Sequence, residues 1–287
     1  MAELLRGAPV AEALSEKLKS DVSELQANGV TPTLAILRVG ERQDDLSYER
    51  GAMKRCASVG VEVKNVVLPQ TVDNDTFFKT VDELNRDETV HGILMFRPLP
   101  KHIDGERAAD AIVPEKDVDG GGISSLGGVF ANKPTGFPPC TAEAAMRILD
   151  HYGIDCSGKR AAVLGRSLVI GRPVAMMLMH KNATVTICHT KTADVPAIAR
   201  ECDIIVSCMG KAESIGREYL TDRQTVIDVG ICWSEEKQKL VGDVKFDEAE
   251  PIVRAITPVP GGVGSMTTAV LVSHVVEAAK RTLGFFK

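Results

Sequence analysis

The sequence predicts an α/β protein of two domains built on parallel sheets. Three observations predict this class. Short apolar runs of strand length alternate with helical patterns along most of the 287 residues. A strand, a glycine turn and a helix follow one another within residues 159–173. Residues 120–139 are rich in Gly, Ser and Pro and weakly periodic, which places a boundary between domains at 1–139 and 140–265.

The first half alternates regularly between the two kinds of pattern. Apolar residues at helical spacing predict helices over residues 10–25, 46–59, 73–85 and 104–112. Runs of strand type predict strands over residues 33–39, 61–68 and 91–96. Such alternation is typical of a parallel sheet covered by helices.

The second half continues in the same way. Helices are predicted over residues 141–152, from 169 onward and over 266–283. Strands are predicted over residues 160–164, 183–188, 204–208 and 225–229. We therefore expect a second parallel sheet here.

The glycine turn of the second half is a candidate phosphate site. Gly165 ends an apolar strand, and Gly171 lies in the first turn of the predicted helix. Free N–H groups at the positive end of a helix stabilise a phosphate without a cationic side chain. The spacing is not the G-x-G-x-x-G fingerprint, so an ordinary strand-to-helix turn is the alternative. The next strand, 183–188, completes a βαβ unit of about 30 residues and favours dinucleotide binding.

The end of that next strand bears on the choice of cofactor. An NAD site usually has a carboxylate there for the ribose hydroxyl, whereas NADP needs cations or hydroxyls. Here the strand ends in His189, Thr190, Lys191 and Thr192, and Arg166 lies in the glycine turn. NADP is favoured, with NAD as the alternative.

Composition excludes several classes of partner. A net charge of −5 argues against nucleic acid and anionic membranes. No apolar run is long enough to span a bilayer, and the N-terminus lacks a signal-peptide pattern, so we expect a cytoplasmic enzyme. Seven cysteines without a C-x-x-C pair fit reduced thiols, and no residue spacing suggests a metal.

A second glycine-rich loop precedes the last predicted helix. Residues 257–267, TPVPGGVGSMT, place three glycines within four positions after two prolines. A backbone of this kind can approach a ligand closely and then lead into a helix N-terminus. The alternative is a tight connection between the sheet and the last helix.

Seven short motifs occur in a fixed order along nearly the whole chain. They are Tyr48 on the second helix, GILMFRPLP at 92–100, PEKDVDG at 114–120, PCT at 139–141, GRSLVIGRP at 165–173, CHTKT at 188–192 and TPVPGGVGSMTTAVL at 257–271. Together they closely resemble those of the methylenetetrahydrofolate dehydrogenase/cyclohydrolase family, called FolD in bacteria.

The resemblance implies both a fold and a reaction. The fold is an N-terminal α/β catalytic domain and a Rossmann-type dinucleotide-binding domain, with the active site in the cleft between them. The last helix, 266–287, packs back on the first domain, and members are usually homodimers. They oxidise 5,10-methylenetetrahydrofolate to 5,10-methenyltetrahydrofolate, passing hydride to a nicotinamide cofactor. Most then hydrolyse the product to 10-formyltetrahydrofolate.

The resemblance also implies roles for particular residues. Tyr48 matches the tyrosine that stacks on the flat pterin ring. Asp119 matches the carboxylate that accepts hydrogen bonds from the pterin, with Asp117 as the rival for that role. The further substrate-binding positions are Pro260, Gly261, Gly262 and Val263. The cofactor-binding positions are Gly165, Arg166, Ser167, Gly171, His189, Thr190 and Ile231.

Two departures from the family pattern concern the hydrolysis alone. This step requires proton transfers, which in the family depend on a lysine four residues after the tyrosine and on the glutamine of a G-x-L-V-Q-L-P strand motif. The positions are Ala52 and Phe96 here, and neither side chain carries a proton. We therefore expect cyclohydrolase activity to be weak or lost.

Neighbouring cations do not obviously replace the missing lysine. Lys54, six residues after Tyr48, is turned by about 240° around an ideal helix and should point elsewhere. Arg97 follows Phe96 and should lie on the opposite face of its strand. Ser265 replaces a family proline after the glycine loop, which leaves the exact shape of that loop open.

Alternatives remain for the function. An ordinary bifunctional dehydrogenase/cyclohydrolase is the runner-up, with Lys54 or a water molecule moving the protons. Outside enzymes, the chain could be a folate- or nucleotide-binding protein without turnover. A Rossmann dehydrogenase of similar build that acts on shikimate fits the DVDG and PGGVG motifs poorly.

Overall fold

The computed structural model describes residues 1–284 and divides the chain into two compact units. The three-stranded unit comprises Ala13–Cys140 and the C-terminal segment from Thr268. The six-stranded unit comprises Met1–Glu12 and Thr141–Thr267. Within residues 1–284, no helix combines the length and the apolar character that crossing a bilayer requires.

Helices and strands alternate along most of the chain, as the sequence pattern predicts. The helices are α1 (Gly7–Ala27), α2 (Gln43–Val59), α3 (Asn74–Arg86), α4 (Gly105–Asp110), α5 (Ile123–Ala131), α6 (Cys140–His151), α7 (Gly171–His180), α8 (Val195–Arg200), α9 (Phe246–Ala249) and α10 (Thr267–Thr282). The strands are β1 (Glu3–Leu4), β2 (Thr33–Val39), β3 (Glu62–Leu68), β4 (Gly92–Met95), β5 (Arg160–Leu164), β6 (Thr184–Cys188), β7 (Ile204–Ser207), β8 (Thr225–Asp228), β9 (Cys232–Ser234), β10 (Lys239–Val241) and β11 (Ala255–Ile256).

The three-stranded unit is built on a parallel sheet in the order β3-β2-β4. The central strand β2 is an apolar run interrupted only by Arg38, and all its residues after Thr33 are buried. Such a run is expected where helices cover both faces of a parallel sheet. Because the three strands run the same way, the loops that follow them meet at one edge of the sheet.

The last helix packs on this same unit. A Cβ atom built on Gly92, at the start of β4, would lie 2.6 Å from Val118 Cγ1 and 3.1 Å from Val275 Cγ2 of α10. Glycine at this position therefore lets α10 approach the sheet closely. The predicted return of the last helix to the first domain is confirmed, although residues 285–287 of the predicted segment lie outside the described residues.

The six-stranded unit has a parallel sheet in the order β1-β11-β8-β7-β5-β6. The predicted βαβ unit is β5-α7-β6, and β7 lies on the other side of β5. The direction in which the sheet grows thus reverses at β5. In open α/β sheets, ligands bind beyond the carboxyl ends of the strands at such a reversal.

Two features of the fold differ from the predicted domain organisation. Residues 120–139, interpreted as a loop between domains, contain helix α5. The first strand, β1, pairs with β11, so Met1–Glu12 go with the six-stranded unit and not with the first domain. A two-residue strand leaves no periodic pattern in the sequence. The domain bounds 1–139 and 140–265 otherwise stay a prediction.

Candidate functional site

The PEKDVDG segment is fixed at its lysine. The ammonium group of Lys116 donates hydrogen bonds to three carbonyl oxygens at the C-terminal end of α3, those of Leu84, Asn85 and Asp87, at 3.1, 2.8 and 2.7 Å. A cation is favourable there because the last carbonyls of a helix lack partners within the helix. Lys116 therefore attaches the segment to the helical layer.

Asp117 has a structural role. It is only 3% exposed, and its carboxylate accepts hydrogen bonds from Gly121 N, Gly122 N and Ser125 Oγ at 3.1, 2.9 and 2.6 Å. These donors belong to the turn before α5 and to its first residues. The carboxylate thus satisfies N–H groups at a helix start, which explains how a glycine-rich stretch forms a helix.

The next carbonyl group is held from two sides. The Val118 oxygen accepts hydrogen bonds from Cys140 Sγ at 3.2 Å and from His274 Nδ1 of α10 at 2.8 Å. The imidazole of His274 stacks on Phe137, with ring centroids 4.9 Å apart. The peptide group that leads into Asp119 is therefore fixed by two buried donors.

Asp119 differs from its neighbours in this segment. One third of its side chain is exposed, and Oδ2 lies 3.7 Å from Arg97 Nη2. Burial raises the pKa of Asp119 to about 6, and the positive charge of Arg97 opposes that rise. Asp117 raises this pKa as a like charge, whereas Cys140, as a hydrogen-bond donor, lowers it.

Tyr48 lies on α2 near the same carboxylate. Burial raises the pKa of Tyr48 well above its usual value, and the charges of Cys140 and Asp119 raise it further. Its ring meets that of Phe96 edge to face, with centroids 5.9 Å apart. The structure thus brings the two predicted catalytic residues, Tyr48 and Asp119, into one electrostatic neighbourhood.

The two departures from the family pattern also lie in this unit. Ala52, one turn after Tyr48, is completely buried, and Phe96 is 9% exposed. Lys54 is exposed, as expected for a residue turned away from Tyr48. β4 ends at Met95, so the strand alternation behind the prediction for Arg97 does not reach this residue, and Arg97 pairs with Asp119.

The predicted cofactor turn after β5 depends on its two glycines. Gly165 has φ +136°, and a Cβ atom there would lie 2.6 Å from the carbonyl oxygen of Cys208. A Cβ atom on Gly171 would lie 2.4 Å from the Gly165 oxygen. Ser167 Oγ accepts hydrogen bonds from Ile170 N at 3.1 Å and Gly171 N at 3.4 Å. The turn is therefore tightly closed at the start of α7, and Arg166 is exposed on it.

The chain after β6 forms a compact polar turn. His189 N donates to Thr192 Oγ1 at 2.9 Å, and Lys191 N donates to His189 Nδ1 at 3.1 Å. Thr190 and Lys191 are exposed on this turn. No acidic side chain lies within residues 189–192, so this donor set suits a phosphate better than a ribose hydroxyl.

The PGGVG loop is fixed within the six-stranded unit. Gly261 has φ +106°, and its carbonyl oxygen accepts a hydrogen bond from Gly7 N at 2.9 Å. Ser265 Oγ donates to the Gly262 oxygen at 2.7 Å, so the serine that replaces the family proline closes the loop. Pro260 is exposed, whereas Val263 is buried.

Ile231 lies against the same loop. A Cβ atom on Gly264 would be 2.7 Å from Ile231 Cδ1, and the Ile231 side chain is 53% exposed. A predicted cofactor residue and the predicted substrate loop thus meet in this unit. Ile231 follows β8 and the PGGVG loop follows β11, so both lie at the edge of the sheet where the parallel strands have their carboxyl ends.

Two buried carboxylates organise the loops at this edge. Asp228 accepts hydrogen bonds from the backbone N–H groups of Gly230, Asp243 and Val244. Asp243 in turn accepts from Ser207 Oγ, Met209 N and Lys211 N. Burial raises the pKa of Asp228 to about 7. Together they fix the chain after β7, after β8 and after the β9–β10 hairpin.

Sequence reasoning missed several residues around these sites. Cys140, which the sequence shows only as one of seven reduced thiols, is buried, and its thiol lies beside Asp119. His274 and Asp243 gave no signal because they meet their partners only through the fold. Arg97 was noticed in the sequence, but its pairing with Asp119 was missed because the two residues meet only through the fold.

The fold and the two sites define a class of protein. A glycine turn at the reversal point of a parallel sheet is typical of dinucleotide-dependent enzymes. Among residues 1–284, no group of three or more His, Cys, Asp or Glu side chains is arranged to hold a metal ion. The class is therefore a two-unit α/β enzyme with a dinucleotide-binding sheet.

Comparison with known proteins narrows this class to one family. Residues 5–119 match the catalytic domain of tetrahydrofolate dehydrogenase/cyclohydrolase, and residues 139–283 match its NAD(P)-binding domain. The chain is 51% identical over 281 residues to the bifunctional protein FolD of Carboxydothermus hydrogenoformans, covering 98% of each chain. The chain belongs to the tetrahydrofolate dehydrogenase/cyclohydrolase family.

Solved structures of the family share the fold. The crystal structure of the bifunctional FolD from Campylobacter jejuni matches with a TM-score of 0.95 and 35% identity, covering 98% of this chain and 100% of that one. The Trypanosoma brucei FolD, solved with NADP and an inhibitor, matches with a TM-score of 0.91 and 36% identity, covering 98% of both chains.

Proposed function

We propose that this protein oxidises 5,10-methylenetetrahydrofolate to 5,10-methenyltetrahydrofolate with NADP as the hydride acceptor. The observation that carries the proposal is the difference between the two aspartates of DVDG. Asp117 is occupied by three internal donors, whereas Asp119 is partly exposed beside Tyr48. Asp119 is thus the carboxylate of this motif that is available to a ligand.

The chemistry of the pterin fits these two side chains. An ionised carboxylate can accept both the 2-amino and the ring N–H groups of the pterin in a bidentate pair. The aromatic ring of Tyr48 offers a flat apolar surface for stacking. The raised pKa of Tyr48 keeps its hydroxyl protonated at neutral pH, so it can donate a hydrogen bond.

Oxidation requires positioning and not proton transfer. The bond that breaks is a C–H bond of the one-carbon bridge, and its electron pair leaves with the hydrogen as hydride. The N5 lone pair then supports the positive charge left on the carbon. The contribution of the protein is to align substrate and acceptor and to exclude water.

NADP supplies the oxidised nicotinamide ring that takes up the hydride. Gly165, Ser167 and Gly171 would hold its phosphates at the start of α7. Thr190, His189 and Arg166 would lie near the 2′-phosphate, and Ile231 near the nicotinamide. The absence of an acidic side chain from residues 189–192 supports NADP over NAD. The NADP complex of the Trypanosoma brucei relative supports it as well.

We further propose that hydrolysis of the methenyl product is slow. The two positions that supply proton transfer in the family are a buried alanine, Ala52, and a phenylalanine, Phe96. Lys54 is exposed and lies on a different helix face from Tyr48, so it does not replace the family lysine. The function proposed is therefore a dehydrogenase with weak or absent cyclohydrolase activity.

A bifunctional enzyme is the second candidate. The name of the Carboxydothermus relative, bifunctional protein FolD, favours it at 51% identity. The pKa of Asp119, raised to about 6, also gives the site one group able to exchange protons near neutral pH. Accelerated decay of methenyltetrahydrofolate by the purified enzyme would favour this candidate over the first.

Pairing into homodimers is part of the proposal. Trp233 and Leu240 lie opposite each other on the β9–β10 hairpin, and their side chains are 53% and 41% exposed. An exposed apolar pair on the dinucleotide-binding unit supports self-association there. Light scattering of the wild type and of Trp233→Arg tests it, with a dimer expected for the former and a monomer for the latter.

The activity is tested by mixing enzyme, methylenetetrahydrofolate and either nucleotide. We expect saturable formation of the methenyl product, with NADP used more efficiently than NAD. A protein that binds folate without turnover would show a saturable Kd and no product. That result would place the chain outside the enzymes.

A further inference from the structure

Arg97 occupies a distinctive position at the end of β4. In the strand motif G-x-L-V-Q-L-P of the family, the residue after the glutamine is leucine, and here it is Arg97. The same stretch has lost the glutamine to Phe96, and α2 has lost the lysine to Ala52. A cation has therefore disappeared from one element, and another has appeared on a neighbouring one.

The guanidinium group of Arg97 packs against Gly121, where a larger residue would leave no room for it. A Cβ atom on Gly121 would lie 2.7 Å from Arg97 Nη2, 3.2 Å from Cζ and 3.3 Å from Nη1. In this position, Arg97 Nη2 lies 3.7 Å from Asp119 Oδ2. The side chains of Arg97 and Asp119 are 34% and 33% exposed, so the pair stands at the surface of the candidate substrate site.

We propose that Arg97 is a positioning residue for the substrate, which keeps the Asp119 carboxylate ionised and oriented toward the pterin. The inference rests on the proposed function, because it assigns Asp119 to a folate. Arg97 itself moves no proton, since a guanidinium stays charged throughout the accessible pH range. Its effect is exerted through Asp119.

The charges around Asp119 show why a cation is needed. Burial disfavours the ionised carboxylate, and Asp117 opposes it as a like charge. Arg97 acts most strongly in the other direction, followed by the Cys140 thiol and His274 of α10. Tyr48 of α2 also faces this carboxylate and remains protonated at neutral pH.

Removal of Arg97 therefore has a defined consequence. The pKa of Asp119 would rise from about 6 toward neutral pH, so a larger fraction would carry a proton at pH 7. A protonated carboxyl group cannot accept both pterin N–H donors. Substrate binding, and not the hydride step, should suffer.

The experiment compares three variants across the pH range from about 5.5 to 8.5. Arg97→Leu removes the charge, Arg97→Lys keeps it, and Arg86→Leu removes an equivalent arginine from a surface pair with Asp82 on α3. The measured quantities are KM and kcat for methylenetetrahydrofolate and, independently of turnover, the calorimetric Kd of tetrahydrofolate.

If Arg97 positions the substrate, its removal should change KM and Kd but not kcat. Because a nearby opposite charge commonly lowers a carboxyl pKa by 1 or more, Arg97→Leu should raise KM and Kd about twofold at pH 7 and about fivefold to eightfold between about pH 6 and 5.5, and it should leave kcat within about twofold. The acidic limb of kcat/KM should move up by about 1 pH unit. Arg97→Lys should restore most of the affinity, and Arg86→Leu should match the wild type.

A fourth variant moves the charge of Arg97 without removing it. Gly121→Ala places a methyl group where the guanidinium now lies, and the flexible arginine must give way. We expect a loss of affinity in the same direction as for Arg97→Leu, with the same upward shift of the acidic limb. Thermal unfolding of each variant separates this effect from a loss of the fold.

Two results would overturn the inference. One is a KM, Kd and pH limb of Arg97→Leu that match those of Arg86→Leu. The other is a fall in kcat, equal for the leucine and lysine variants, with unchanged Kd. A wild type that binds tetrahydrofolate with the predicted pH dependence but does not turn over would contradict the proposed function and leave the role of Arg97 supported.

Discussion

Tyr48 and Phe96 meet edge to face, with ring centroids 5.9 Å apart and an interplanar angle of 85°. Phe96 stands at the position of the family glutamine and is almost completely buried. Ala52, on the turn after Tyr48, is also buried. An aromatic contact and a methyl group thus stand at the two positions where family members carry proton-transfer groups.

Restoring the family pattern should create hydrolysis. The double variant Ala52→Lys, Phe96→Gln is expected to accelerate decay of methenyltetrahydrofolate by at least about tenfold, since a positioned acid–base group contributes roughly 10²–10⁴-fold. The decay is followed by absorbance. Lys54→Met is the control and should not change it. A wild type that already hydrolyses as fast as the double variant would refute the argument.

The two aspartates of DVDG should respond differently to substitution. Asp117→Ala removes the acceptor of three hydrogen bonds, so we expect a loss of roughly 2–4 kcal/mol in the free energy of unfolding. Asp119→Asn should change stability by less than about 1 kcal/mol and raise KM for the folate at least about tenfold. Denaturant titration measures the change in stability, and steady-state kinetics measures the change in KM. If Asp117 were the ligand-binding carboxylate, Asp117→Ala would mainly raise KM and Asp119→Asn would mainly lower stability.

The aromatic ring of Tyr48 should matter more than its hydroxyl for binding. Tyr48→Phe is expected to keep KM within about twofold, whereas Tyr48→Ala should raise it about tenfold because the stacking surface is lost. Calorimetric Kd values of tetrahydrofolate provide the check. If both variants lost affinity equally, the hydroxyl and not the ring would be the binding group.

The cofactor turn should tolerate no side chain at Gly165. Gly165→Ala combines a φ of +136° with a contact of 2.6 Å to Cys208, so we expect a large loss of NADP affinity together with destabilisation. Gly158→Ala is a matched control, because its φ is +70° and no atom lies within 4 Å of the added Cβ. It should lose only the stability that a left-handed alanine costs, about 1 kcal/mol. Nucleotide titration of both variants distinguishes the two cases.

Asp228 should make stability depend on pH. Its pKa is about 7 in the folded protein and near the ordinary 3.8 when unfolded, so the folded state binds the extra proton between these values. Its contribution is fully present below about pH 4 and is lost as pH rises through about 7. The unfolding free energy of the wild type should therefore decrease between about pH 5 and 8. In Asp228→Asn this decrease should be smaller by on the order of 2 kcal/mol.

The measurement has a clear contrary result. Unfolding is followed by far-UV circular dichroism, because Trp233, the one tryptophan of the sequence, is 53% exposed and lies at the proposed dimer contact. Other titrating groups are common to both proteins and cancel in the comparison. Equal pH slopes for wild type and variant would show that Asp228 is ionised at little cost.

Much of the fold could be predicted from local patterns. β2 and β5 have the predicted bounds because each apolar run ends at a glycine, Gly40 or Gly165. The family resemblance predicted that α10 packs on the three-stranded unit, and this prediction is confirmed. These features depend on periodicity or on motifs that are contiguous in the sequence.

What could not be predicted depends on contacts between distant residues. α5 contains adjacent glycines and so has low helix propensity, and the Asp117 carboxylate holds its first turn from outside. β1 consists of two residues that pair with β11 some 250 positions later in the chain. The bond of His274 to Val118 likewise exists only because α10 returns to the first unit. Local propensity contains none of this information.

The most direct test of the account is the NADP-dependent oxidation of 5,10-methylenetetrahydrofolate by the purified protein, followed by absorbance of the methenyl product. We predict saturable turnover that prefers NADP to NAD and a much weaker affinity for the folate in Asp119→Asn. Absence of any product with either nucleotide, under conditions where the protein is folded, would contradict the account.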